Sequence, residues 1–182
     1  MSFKIGSKKR LYKGQFTELW STDFLDKEGK QRTWEYLQKR SCVIVFAVTD
    51  ENKVVLIKNY RVPIEKYVIE TPAGLTDHED ETLEDLAKRE LMEETGYVAE
   101  KFYALPPHPQ EIGVSSAMIF NFLATGAKRI NNNSGDATED ITVFELPLAE
   151  LDDYYLKMPS DTLFSFNILA SYEIARHLKI LK

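Results

Sequence analysis

Three glutamates near the end of one segment set the chemical question. Residues 74–97 read GLTDHEDETLEDLAKRELMEETGY, and Glu90, Glu93 and Glu94 stand close together in it. With Leu83 at zero and about 100° per residue along a helix, Leu86, Ala87 and Leu91 fall within about 80° of it and define an apolar stripe. Glu90 and Glu94 fall within about 20° of the same zero, and Glu93 lies at about 280°, beside Leu86. Glu84, Asp85, Lys88, Met92 and Thr95 take the opposite face. An acidic helix is ordinarily a solvated surface. Here the carboxylates continue the stripe that should turn inward. Carboxylates gathered on such a face repel one another and lose hydration unless cations compensate. Hard oxygens crowded this way suit Mg²⁺, or Mn²⁺ in its place, shared with the oxygens of a phosphate. Arg89 can pair with one carboxylate and help the helix tolerate the rest.

The elements that must position these groups follow from the rest of the chain. Residues 11–24 read as a strand rich in aromatic and β-branched residues, 26–29 as a turn, and 32–37 as the returning strand. Residues 42–49 and 54–60 form a second hairpin around the turn 50–53, and 68–70 a short strand leading into Pro72-Ala73-Gly74. The spacing predicts a helix over 83–95 stopped by Gly96, the position where a left-handed cap belongs. Strands are expected at 98–104, 117–124 and 141–145, and a closing amphipathic helix at 162–178. Strands and helices mixed in this order predict an α/β fold.

With 182 residues, 43% of them hydrophobic, the chain has enough apolar material for one core. Its formal charge, 23 − 29 = −6, does not suit counterion-release binding to a nucleic-acid backbone. It is compatible with a cation bridging protein and anionic ligand. The longest apolar run, 43–48, is far below a membrane span, and no signal-peptide stretch opens the sequence. Cys42, the only cysteine, has no intrachain partner, which fits a reducing cytoplasm. His78, His108 and His177 show no ligand spacing and read as loop, loop and surface helix.

Arg89-Glu90-Leu91-Met92-Glu93-Glu94-Thr95-Gly96 fits the pattern Arg-Glu-x-x-Glu-Glu-x-Gly. Chance gives that pattern in about one chain per 10⁴ of this length. It resembles the second half of the Nudix box, with Glu81 at the upstream glutamate position. Gly74 stands seven residues before Glu81 where the family has six, so the loop carries one extra residue. The resemblance implies an α/β/α sandwich around a mixed sheet, with an N-terminal β-hairpin extension over 1–40 and the hydrolase domain over 41–182. It also implies metal-dependent hydrolysis of a nucleoside diphosphate linked to another group.

By the same resemblance Glu90 and Glu94 ligate metal, Glu93 ligates metal or shapes the water network, Arg89 supports them, and the carbonyl of Ala73 completes the site. Pro72-Ala73-Gly74 is similar to the turn of the ADP-ribose pyrophosphatase group. Arg32-Thr33-Trp34-Glu35 resembles that group's leading hairpin, which is exchanged in a homodimer so that aromatics of both chains sandwich the base. Trp34 and Phe16 would be those aromatics, with Glu35 accepting from the base amine; the bland alternative is that the rings fill a hairpin core. Asn59-Tyr60-Arg61-Val62-Pro63 resembles Gln-Tyr-Arg-x-Pro, which gives Arg61 the role of diphosphate clamp, the alternative being an ordinary strand-end ion pair. Glu70 is expected to contact substrate or metal. Glu139, in Thr138-Glu139-Asp140-Ile141, takes the general-base position, although its neighbours read equally as a polar loop.

The resulting expectation is a cytoplasmic nucleotide-sugar diphosphatase, with ADP-ribose as first substrate and GDP-mannose or a broad nucleotide-sugar range as the alternative. A non-catalytic nucleotide-sugar binder, or another Nudix chemistry such as decapping, sanitation or isomerisation, stands further back.

Overall fold

Cys42–Thr49 is a strand whose successive side chains all go inside. Val43, Val45 and Ala47 enter one apolar cluster and Phe46 and Val48 another, as the period-two geometry of a strand requires. A continuous apolar run is the mark of a strand covered on both faces. The computed structural model describes residues 3–77, 80–132 and 140–181.

In chain order the strands are β1 (Lys4–Lys13), β2 (Glu18–Leu25), β3 (Gln31–Gln38), β4 (Cys42–Thr49), β5 (Lys53–Arg61), β6 (Lys66–Glu70) and β7 (Ala73–Leu75). Helix α1 (Leu83–Thr95) precedes β8 (Tyr97–Val98), β9 (Lys101–Ala104), β10 (His108–Pro109), β11 (Met118–Arg129) and β12 (Ile141–Pro147). The chain closes with α2 (Leu151–Leu156), β13 (Thr162–Phe164) and α3 (Phe166–His177).

The fold divides into two compact units. The first comprises Met1–Cys42 with Pro107–Ile119. Its strands β1, β2 and β3 form an antiparallel sheet in that order. Gly14 N–H donates to the Thr17 carbonyl at 2.8 Å to close the first turn, and Gly29, at φ +78°, closes the second by donating to the Asp26 carbonyl. The leading hairpin is therefore a three-stranded sheet: residues 11–24, read as one strand, are the end of β1, a turn and most of β2. Strand β1 is exposed along its whole length and half basic, with Lys4, Lys8, Lys9, Arg10 and Lys13. Segment 107–119 is tied to β3 by backbone bonds from Leu37 N–H to the Val114 carbonyl and from Ser116 N–H to the Leu37 carbonyl.

The second unit, Val43–Pro106 with Phe120–Lys182, holds a mixed sheet in the order β11-β4-β5-β6-β13. Strand β12 adds antiparallel to β5 along Lys53–Asn59, while β13 runs parallel to β6. Helix α1 covers one face through Leu86, Ala87 and Leu91. Helix α3 covers the other through Ile168 and Ala175. This is the α/β/α sandwich expected.

Helix α1 matches its predicted limits because both ends are written locally. Thr82 caps it by accepting from Asp85 N–H, and Gly96 ends it at φ +74° with its N–H on the Met92 carbonyl. A Cβ on Gly96 would lie 2.3 Å from the Asn131 carbonyl oxygen. Three expectations change. Residues 162–164 form β13, paired to β6, so the closing helix starts only at Phe166. His108 sits in a two-residue strand rather than a loop. Thr95, placed on the outer face of α1, is fully buried, with its hydroxyl on the Leu91 carbonyl.

Leu91 is 0% exposed beneath the sheet. Leu91→Ala should cost about 2–5 kcal/mol, the usual range for a buried leucine truncated to alanine. Urea unfolding checks it; a loss under 1 kcal/mol would mean that this face of α1 packs loosely.

Candidate active site

The last two turns of α1 lie against the Ala73–Gly74 backbone of β7. Glu94 is 7% exposed, and its Oε2 accepts from Ala73 N–H at 3.0 Å. Glu90 is set directly on the neighbouring residue, since a Cβ on Gly74 would come within 2.0 Å of the Glu90 Cδ. Only glycine admits the carboxylate there. Glu90 and Glu94 are one helical turn apart, which puts both on the same side of α1. Both side chains therefore turn to the side on which the leucines set the helix down. Glu93 differs: it is exposed and turns toward Arg89.

Arg89 organises the remaining charge. Its Nε and Nη2 donate to the two oxygens of Glu81 at 3.0 and 3.2 Å, and Nη1 donates to Glu93 Oε2 at 2.8 Å. The same Nη1 lies 2.9 Å from Glu90 Oε1, and Asp77 stands at 3.9 Å from Nη2. The fork geometry of a guanidinium is what lets one side chain serve several carboxylates. The Glu81 bonds above all hold Arg89 firmly protonated. Burial pushes the Glu90 carboxyl above its ordinary range, and the Arg89 charge pulls it back only in part.

This face carries Asp77, Glu81, Glu90, Glu93 and Glu94 against one guanidinium, 1 − 5 = −4. Among the described residues, no three of these side chains close into a ligand cage. The donor set nevertheless fits a hard divalent cation: carboxylate oxygens, one of them nearly sealed, with an uncompensated negative charge. The candidate ligands are Glu90 and Glu94, with Ala73 on the adjoining backbone.

The other sequence candidates fall as follows. Arg61 and Glu70 meet each other: Nη2 and Nε lie 2.6 and 2.8 Å from Glu70 Oε2, with the pair part-exposed. In the first unit Trp34 is 55% exposed and its indole Nε1 donates to the Gly113 carbonyl at 2.9 Å. Glu35 is exposed opposite Ser21. Phe16, 90% exposed, lies in the turn beyond Glu18, whereas Trp34 is opposite Thr22. Four strand residues separate these levels, roughly 13 Å, so one chain does not stack the two rings. Neither ring fills a hairpin core. Glu139 lies outside the described residues, as do Thr138 and His78.

One feature had no reading in the sequence. The anchoring of Trp34 by Gly113 is a backbone contact across 79 positions and leaves no side-chain signal. Glu81, which the eight-residue spacing had placed in the pattern, meets Arg89 as a bidentate pair.

The NUDIX domain model matches residues 38–165. The chain is 31% identical over 174 residues to the methanol dehydrogenase activator of Bacillus methanolicus, covering 93% of each. It is also 31% identical over 148 residues to an ADP-ribose pyrophosphatase of Bacillus subtilis, covering 81% of this chain and 80% of that one. A solved structure titled as an ADP compounds hydrolase superposes with a TM-score of 0.80 at 22% identity, over 98% of this chain and 94% of that one. That last likeness concerns the fold alone.

A carboxyl whose folded pKa lies above its unfolded one stabilises the fold while protonated, and that contribution is lost as pH rises through the folded value. In EDTA, Glu90→Gln should therefore melt about 2–4 °C higher than wild type at pH 7.5, with the gap closing by about pH 4. Thermal scans at the two pH values check it. An equal or larger gap at pH 4 would contradict the burial argument.

Proposed function

This chain is a member of the NUDIX family, and from that premise we propose that it hydrolyses the diphosphate bond of a nucleoside diphosphate sugar, ADP-ribose first. A water oxygen bonds to one phosphorus while the bridging P–O bond breaks, giving a nucleoside monophosphate and a sugar phosphate. The observation that carries this reading is the seating of Glu90 and Glu94 on the Ala73–Gly74 backbone. A divalent cation, Mg²⁺ with Mn²⁺ as its substitute, supplies polarised phosphate oxygens and a lowered pKa for the attacking water. Glu90 and Glu94 with the Ala73 carbonyl are its proposed ligands, and Arg89 holds the flanking Glu81 and Glu93 in place.

Arg61 is the proposed diphosphate clamp. Its pairing with Glu70 supports rather than opposes this, because a part-exposed ion pair is worth about 0–1 kcal/mol and can be exchanged for a charge-assisted grip on phosphate. Glu139 keeps the proposed role of base. Trp34, Phe16 and Glu35 are proposed for the nucleobase, and the exposure and separation of the two rings support a sandwich built from two copies. Residues 1–40 are accordingly proposed as the dimerising extension. A free Cys42 and the lack, among the described residues, of a helix able to cross a membrane are consistent with a cytoplasmic site of action.

A second reading is a regulator of another enzyme. It is favoured by one observation, the likeness over 93% of each chain to a relative named as a dehydrogenase activator.

Chromatography of ADP-ribose, GDP-mannose and other nucleotide sugars incubated with protein and Mg²⁺ tests the first reading. Wild type should release AMP from ADP-ribose, EDTA should abolish release, and Glu94→Gln should lower kcat at least about 100-fold. Glu94→Gln within a few-fold of wild type would refute the assignment. Trp34→Ala should raise KM about tenfold, the effect of one lost stacking partner. Sedimentation should give 2 × 21.0 = 42 kDa, and a 21.0 kDa species would exclude the two-copy base site.

A further inference from the structure

Strand β5 carries an amide where its pattern asks for an apolar side chain. Val55, Ile57, Asn59 and Arg61 alternate onto one face, and Val55 lies in the cluster beneath α1. Ile57 is fully buried and Asn59 is 3% exposed. On β6, Glu70 stands opposite Ile57, Val68 opposite Asn59, and Lys66 opposite Arg61. To reach Glu70, the Arg61 side chain leans back along the strand across the Asn59–Val68 level. The Asn59 backbone is taken up between Ile141 of β12 and Val68 of β6. Its side-chain amide has no hydrogen-bond partner among the described residues. The Tyr36 hydroxyl is sealed away without a partner; the Asn59 amide, by contrast, is not sealed.

An amide brings two donors and one acceptor, and native interiors seldom leave such a group unpaired. A leucine would fill the same volume at lower cost. Beside it sits a guanidinium whose present partner is weakly held and exchangeable. We propose that Asn59 is a substrate-binding residue whose amide N–H donates to a non-bridging diphosphate oxygen when Arg61 leaves Glu70 for that same diphosphate. The inference rests on the nucleoside diphosphate sugar reading and adds a neutral donor to its single cationic clamp. Neighbouring same-face positions on a strand lie about 7 Å apart, which a long arginine and a short asparagine can both span toward one extended diphosphate. The amide would gain its missing partner only in the complex.

The test uses full-length Asn59→Leu and Asn59→Asp with ADP-ribose and Mg²⁺, reading melting temperature alongside KM and kcat. Asn59→Leu should melt at or above wild type while KM rises at least tenfold and kcat stays within threefold. Asn59→Asp, which places a carboxylate against the phosphates, should lose at least 100-fold in kcat/KM. KM within twofold of wild type for Asn59→Leu would overturn the proposal and leave the hydrolase reading intact. Should Asn59→Leu fail to fold, Asn59→Asp decides: kcat/KM within threefold of wild type would overturn it. If wild type binds ADP-ribose calorimetrically without turning it over, the hydrolase reading falls and the same ratios are read as Kd. A wild type that binds no nucleotide sugar overturns both.

Discussion

Negative charge driven inward is the constraint around which the second unit is arranged. A helix that shows leucines and glutamates on one side can dock only where the glutamates find donors. Here the docking surface answers them with a backbone N–H at Ala73 and a missing side chain at Gly74. Arg89 then holds the carboxylates that do not reach β7. The apolar part of the stripe, Leu86, Ala87 and Leu91, supplies the hydrophobic burial that keeps the helix down against the repulsion. Hydrophobic burial and charge repulsion are opposed along one stripe of α1, from Leu86 to Glu94.

What could be read from the sequence divides by range. The limits of α1 were legible because a threonine cap, a glycine at a left-handed position and the 3.6-residue phase are all local. Glu90 and Glu94 were legible for the same reason. The strand character of 162–164 was not, since it depends on parallel pairing with Tyr67–Ile69 nearly a hundred residues earlier. The hydroxyl of Thr95, bonded to its own helix, let a polar residue be buried at no cost that periodicity could register. Residues 11–24 ran together because the turn at 14–17 has a single glycine and no proline to announce it.

The first unit follows another logic. Its β1–β3 sheet leaves Trp34 and Phe16 in the open. Trp34 is also oriented, because its indole N–H is fixed on Gly113. A ring that is both exposed and fixed has already lost the rotational freedom that stacking would otherwise remove.

The Arg61–Glu70 pair carries a consequence for discrimination among anions. With its charge quenched by a neighbour, the arginine offers a lone inorganic ion a dipole instead of a bare cation. If Arg61 is the proposed clamp, a ligand that brings several oxygens at once displaces the carboxylate more readily than a single ion does. At about 0–1 kcal/mol that bias against a lone small anion is slight, a few-fold at most. The end of β5 thus holds its cation on one modest electrostatic bond.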